Sequence, residues 1–369
     1  MPDKVPLENI KVAFLPAAVD ACALYRQFIP HLNIPGSKFL FRLGSLNIKS
    51  VEGCKVAVVQ RQVSEHNLNA IKRLKSLGMK VVYDLDDDIW NLPNWNPGKA
   101  TFTAMQEGFT MCAAEADILT VSTRGLSIAT KKYWSKLNKE VIIVPNSIDL
   151  NLFYPKNLVK DDTIVIGWQG SNTHSEDCRE AFEVIPEVLD EFPNARMEIC
   201  GAPAVESIIK WENAFENGRL IKRKITTIQA SKLSLHKHCK FRQWVPPGEY
   251  PNRFSSYGWD IALAPLANHK FNWSKSAIKM LEAGAMHIPC LVSNVQPYNE
   301  FCCLGGDDLK WLLIDFQSQW KTKLRTLINE PERRKHIGNI MYETTKKYFD
   351  ASIIAQNWSY VFNKVLGNV

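Results

Sequence analysis

The sequence has no apolar run approaching the ~20 residues that a helix needs to cross a bilayer. Its opening stretch, MPDKVPLENIK, is polar and has no apolar core of the secretory kind. No Cys-x-x-Cys pair occurs, and the nine cysteines, odd in number and irregular in spacing, read as reduced thiols in a cytoplasmic setting. His236-Lys237-His238-Cys239 crowds three ligand-type residues together without a second cluster, so no metal centre is expected there. A GxxxxGK phosphate loop is missing throughout. Aromatic residues are sparse in the stretch richest in basic residues, 219–242, which holds Arg219, Lys222, Arg223, Lys224, Lys232, Lys237, Lys240 and Arg242. Stacking on single-stranded bases is therefore not indicated, and a solvated face is the expectation.

The composition itself is ordinary: 46% hydrophobic and 22% charged residues are globular values, with no signature of disorder. A chain of 369 residues exceeds what one core usually supports, so two domains are expected. The formal net charge of +7 permits a polyanionic partner without requiring one.

Short apolar runs alternate with helical segments along the chain. In the first part, strands are expected at 10–15, 39–41, 55–60, 79–84, 117–122 and 141–144. Helices are expected at 21–31, from 64 to a Gly78 stop, at 101–116 and at 125–136. In the second part, strands fall at 163–168, 196–200, 241–245 and 260–265, with a helix at 176–192. Such alternation predicts an α/β chain built on parallel, doubly wound sheets, and ligands of such sheets bind at the strand ends.

Several strand ends carry unusual residues. The run Tyr83-Asp84-Leu85-Asp86-Asp87-Asp88 places four carboxylates in five positions, which is costly unless cations or N–H donors relieve it. It reads three ways: a divalent-metal site under a diphosphate, a base or acceptor-orienting group, or a solvated cap. Residues 91–98 would form a loop over the cleft. Arg26 would pair with a donor phosphate or with an internal carboxylate. Gly170 and Ser171, after the first strand of the second half, would offer backbone contact to a phosphate. Trp244 is either a stacking face or core.

Residues 271–298, FNWSKSAIKMLEAGAMHIPCLVSNVQPY, organise the rest. At 3.6 residues per turn, Ala277, Met280, Leu281 and Gly284 share one helix face, and Lys275, Lys279 and Glu282 share the other. Ser274 reads as the N-cap. A helix end with two lysines one turn apart suits a diphosphate, and Glu282 suits a ribose diol.

This segment resembles the donor-binding part of GT-B glycosyltransferases, in particular the retaining family labelled glycosyl transferases group 1. Lys275-Ser276, Lys279 and Leu281-Glu282 match the K-S-x-x-K-x-L-E form of its phage and bacterial branch. The usual pair of glutamates is only half kept, since Ser274 stands where the first would fall. Tyr25-Arg26, Tyr83–Trp90 and Val144-Pro145-Asn146 through Asp149 and Phe153 are similar to other segments of that branch.

The resemblance implies two Rossmann-like domains facing across a cleft: residues 1–150 on the acceptor side, 151–345 binding the nucleotide sugar, and a last helix (346–369) packing back on the first. It also implies transfer of a hexosyl or pentosyl unit from a nucleotide diphosphate sugar to a hydroxyl acceptor, with retention and without metal. The acceptor would be a glycan, a lipid-linked sugar or a hydroxymethylated base in phage DNA. Asp86, Asp87 and Asp88 become candidates for acceptor or sugar handling. Arg26, Gly170, Ser171, Trp244, Ser274, Lys275, Lys279 and Glu282 become candidates for the donor. The competing reading is a non-catalytic nucleotide- or nucleic-acid-binding protein on the same fold.

Overall fold

The computed structural model describes residues 10–41, 43, 47–159, 161–201, 213–216, 219–222, 233 and 236–369. Two six-stranded sheets, both wholly parallel, carry the chain. The first comprises β1 (Val12–Leu15), β2 (Lys38–Phe39), β3 (Val56–Gln60), β4 (Lys80–Leu85), β5 (Ile118–Val121) and β6 (Val141–Ile143), in the order β2-β1-β3-β4-β5-β6. The second is built from β7 (Ile164–Gln169), β8 (Ala195–Cys200), β11 (Cys239–Arg242), β12 (Ile261–Ala264), β13 (Cys290–Ser293) and β14 (Leu313–Ile314), in the order β11-β8-β7-β12-β13-β14. A small antiparallel hairpin, β9 (Asn213–Glu216) with β10 (Arg219–Lys222), lies between β8 and β11 in sequence.

Strands such as VAFL and VAVVQ are buried on every residue, because helices cover both faces of the sheet. Side chains alternate between the two layers. Ala13, Leu15, Ala57 and Val59 share one core with Ile71, Leu74, Phe109 and Cys112, from helices Glu65–Ser76 and Lys99–Glu115. Val12, Phe14, Val56 and Val58 face Trp358, Val361 and Phe362 of the last helix, Ala351–Val365. Trp358 meets Phe14 edge-on at 5.9 Å. The C-terminal helix therefore crosses back and seals the first sheet. The chain changes halves twice at one place: Ile148 N–H bonds Phe349 carbonyl at 3.0 Å, and Ala351 N–H bonds Ile148 carbonyl at 2.9 Å.

The expected helix at 21–31 is not uniform. It opens as Ala21–Ala23 under an Asp20 cap, widens into a π turn over Leu24–Phe28, and resumes as Ile29–Asn33. Pro30, which has no N–H to donate, sits at the resumption. The wider turn buries four successive residues, Leu24, Tyr25, Arg26 and Gln27, where a regular helix would rotate one of them to solvent.

The helix in the 271–298 segment also differs from expectation. Ser274 is not its N-cap. A short helix, Lys270–Trp273, comes first, with the His269 side chain accepting from Phe271 N–H and Ser274 closing it as the C-cap. The longer helix runs over Ile278–Ala285 behind Ala277, which lends no side-chain cap. Lys275 therefore precedes the helix instead of sharing its stripe.

Candidate functional site

The C-terminal strand ends of the two sheets meet, and the carboxylate-rich turn after β4 sits at the junction. Each carboxylate has its own relief. Asp84, fully buried, accepts from Arg26 Nε at 3.0 Å and Nη2 at 2.5 Å, and from Thr120 Oγ1 at 2.7 Å. Asp86 lies 3.4 Å from Arg61 Nε. Burial raises its pKa while Arg61 pulls the other way. Asp88 accepts the N–H groups of Trp90 and Asn91 at 3.1 and 3.2 Å, the Asn91 amide at 2.7 Å and the Ser274 hydroxyl at 3.3 Å. Asp87 is the most open of the turn, 3.6 Å from Lys275 Nζ.

These contacts sort the candidates. Arg26 is spent inside the first half: besides Asp84, its Nη1 bonds Val144 carbonyl at 2.5 Å and Asn146 Oδ1 at 3.1 Å, and Trp358 covers its guanidinium at 5.5 Å. It is 1% exposed and its guanidinium is paired with Asp84, the internal-carboxylate alternative. Asp88 shapes a turn. Asp87 is the carboxylate of the turn open to solvent, whereas Asp86 is nearly buried and its Oδ1 has no hydrogen-bond partner among the described residues.

The halves are stitched closely here. Thr123 Oγ1 donates to Ser274 carbonyl at 2.7 Å, and Asn146 Nδ2 to Ser276 Oγ at 2.8 Å. Trp95, from the 91–98 loop, meets His269 of the other half at 5.2 Å. At Gly125 an added Cβ would sit 2.3 Å from Trp273 carbonyl, so only glycine lets the halves approach this far.

On the second half, Lys279 Nζ is buried over the face of Trp168, 5.1 Å from the ring centre, with no hydrogen-bond partner among the described residues. Burial lowers its pKa. Lys275 sits over Phe271 at 4.4 Å; burial works against its charge, but Asp87, Asp177 and Asp86 together with Cys22 outweigh that and its pKa is raised. Glu282 is 3% exposed, and its two oxygens accept from Tyr25 Oη of the first half and Gln169 Nε2 at the end of β7. Burial pushes its carboxyl up to about 7, against the pull of the Tyr25 hydroxyl and Lys279.

Gly170 and Ser171 follow β7. Gly170 N–H is taken by Cys200 carbonyl at 3.1 Å and so is not aimed at a phosphate. An added Cβ would lie 2.7 Å from the Trp168 ring and 3.2 Å from His174 Cδ2, so the glycine lets both rings close together. Ser171 is exposed, with Oγ 2.6 Å from Thr173 Oγ1. Trp244, in the loop after β11, is 61% exposed and thus not core. In the basic stretch, Arg223, Lys224 and Lys232 lie outside the described residues.

Two residues with the right chemistry were not singled out by sequence. His174 and Asp177 form a buried pair, Nδ1 to Oδ2 at 2.8 Å. The other Asp177 oxygen accepts from Ala267 N–H at 2.9 Å and Asn272 Nδ2 at 2.7 Å, joining the segment after β7 to the one after β12. The i, i+3 spacing of His and Asp after a small-residue turn was the available signal. Among the described residues, no group of three or more His, Cys, Asp or Glu is arranged to hold a metal ion, and no helix is long and apolar enough to cross a membrane.

No protein-family model and no curated protein matches this sequence. Solved structures do match by shape. A glycosyltransferase from Rickettsia africae superposes with a TM-score of 0.66 at 10% identity, covering 98% of this chain and 100% of that one. Sucrose-phosphate synthase from Thermosynechococcus elongatus gives 0.62 at 12% identity, over 98% and 100%. The pneumococcal O-GlcNAc transferase GtfA, solved with UDP and GlcNAc, gives 0.54 at 13% identity over 86% of this chain and 58% of that one. Over nearly its whole length this chain has the GT-B fold, two Rossmann-like domains facing across a cleft.

Proposed function

We propose that this chain is a glycosyltransferase that moves a sugar from a nucleotide diphosphate sugar to a hydroxyl acceptor. The supporting observation is the buried, unpartnered Lys279 ammonium at the cleft. An unpaired buried cation is costly, and the cost is offset when an anion arrives. In this reading the donor diphosphate lies against Lys279 and Lys275, and Glu282 contacts the ribose once Tyr25 releases it. As the bond between the anomeric carbon and the phosphate oxygen breaks, the two ammonium groups stabilise the leaving diphosphate. The acceptor oxygen forms the new bond, with Asp86 or Asp87 orienting its hydroxyl and the proton leaving with solvent or diphosphate. Retention follows from the likeness to group 1 enzymes, and UDP is the first nucleotide to try because GtfA was solved with it. The acceptor side is the first domain, residues 1–150. The donor side is then 151–345 with the return over 346–369, a division supported by the crossing at Ile148 and Asp350, although the returning helix itself starts at Ala351.

Calorimetric titration with UDP tests the donor site: wild type should bind at micromolar to millimolar levels, and no heat from any nucleoside diphosphate would remove it.

Glu282 gives a second check. Its folded pKa, about 7, lies above its unfolded value, so the protonated form is favoured by folding. The stability this contributes is present below the unfolded value near 4.5 and is lost as pH rises to 7. Glu282→Gln removes this dependence. Relative to wild type, the variant should gain stability between pH 5 and pH 8 by up to about 3 kcal/mol. Melting curves at the two pH values measure it, and an unchanged difference would show that Glu282 is ionised throughout.

A further inference from the structure

We propose that His174 is a positioning residue of the donor site, accepting a hydrogen bond at Nε2 from a sugar hydroxyl of the nucleotide sugar. This rests on the glycosyltransferase reading above.

The argument begins with Asp177. Burial opposes its charge, but hydrogen bonds from His174 and Ala267 N–H hold its pKa below the ordinary value. An ionised carboxylate only accepts hydrogen bonds, so the 2.8 Å contact requires His174 Nδ1 to carry the proton. Burial first, and Lys279 next, push the imidazole pKa down to about 4. At neutral pH the ring is therefore uncharged and Nε2 is a bare lone pair. His174 Cδ2, the ring carbon bonded to Nε2, and the Trp168 ring both border Gly170, lying 3.2 and 2.7 Å from where a Cβ there would sit, and the face of that same Trp168 carries the unpartnered Lys279 ammonium. A strong donor and a strong acceptor thus stand on one small wall. A phosphate oxygen suits Lys279 but is repelled by the His174 lone pair. A hydroxyl next to that phosphate suits the lone pair. A nucleotide sugar offers such hydroxyls on its glycosyl ring and on its ribose.

Three variants separate this role from a structural one. His174→Asn keeps an amide near the Nδ1 position and can still bond Asp177, but has nothing at Nε2. His174→Gln reaches the Nε2 position with an amide oxygen. Asp177→Asn offers an N–H to Nδ1 and so drives the proton to Nε2, turning the acceptor into a donor. Titration of each variant with UDP and with UDP-glucose is the experiment, with melting curves as the fold control. His174→Asn and Asp177→Asn should weaken UDP-glucose binding roughly three- to tenfold, the loss of one hydrogen bond, while His174→Gln retains most of it. Weakening confined to UDP-glucose assigns the glycosyl hydroxyl, and equal weakening of UDP assigns the ribose. If His174→Asn binds both ligands as wild type does, or if Gln fails as badly as Asn, the proposal is overturned. If wild type itself binds neither ligand, the donor-site reading fails instead.

Discussion

Replacing Lys279 with methionine should weaken UDP binding by ~1.5–3 kcal/mol, roughly ten- to hundredfold, while making the unliganded protein more stable. The two effects have one origin. Lys279 Nζ is buried over the Trp168 ring with no hydrogen-bond partner among the described residues, so the free protein bears the cost of an unpaired charge that methionine does not impose. A diphosphate turns that cost into a charge-assisted hydrogen bond, and methionine forgoes it. Calorimetry and thermal melting on one preparation read both. A variant that binds normally would remove Lys279 from the donor site. A variant that binds weakly and also melts lower would mean that the lysine holds the fold.

Arg26→Met should have the larger effect on stability, about 3–5 kcal/mol, because it strands Asp84 in a fully buried position with Thr120 as its remaining partner. For a domain of this size the loss lowers the melting temperature on the order of 10 °C. Adding Asp84→Asn should recover part of it, since the stranded charge is then removed. Were Arg26 a donor ligand, the single variant would instead fold normally and lose nucleotide. Thermal melts of the single and double variants distinguish the two outcomes.

The architecture was legible because parallel strands buried on both faces are written as short runs of Val, Ile, Leu and Ala, as in KVAVVQ. The return of the last helix was implied by the resemblance to GT-B proteins and not by the residues of the helix itself. What could not be read was how each polar residue is spent. The Tyr25-Arg26 pair looks alike in sequence whether it faces a ligand or the core. A π turn points both inward, sending Arg26 to Asp84 and Tyr25 across the cleft to Glu282. The four aspartates were a single signal in sequence and became four different environments, because Arg26, Arg61, Lys275 and the Trp90–Asn91 backbone come from separate parts of the chain. Ser274 looked like an N-cap, but His269 capped a shorter helix just ahead of it. The i, i+3 spacing of His174 and Asp177 was a weak signal, because nothing in the sequence shows that Ala267 and Asn272 converge on the same carboxylate.

The most direct test is donor turnover. Purified protein incubated with a panel of nucleotide sugars should slowly release nucleoside diphosphate from one of them. Lys279→Met should abolish that release, and EDTA should leave it intact, because the aspartates after β4 are already paired with Arg26, Arg61, Lys275 and backbone N–H groups. Binding without turnover of any donor, with or without candidate hydroxyl acceptors, would contradict the enzymatic reading and leave a nucleotide-binding protein on the same fold.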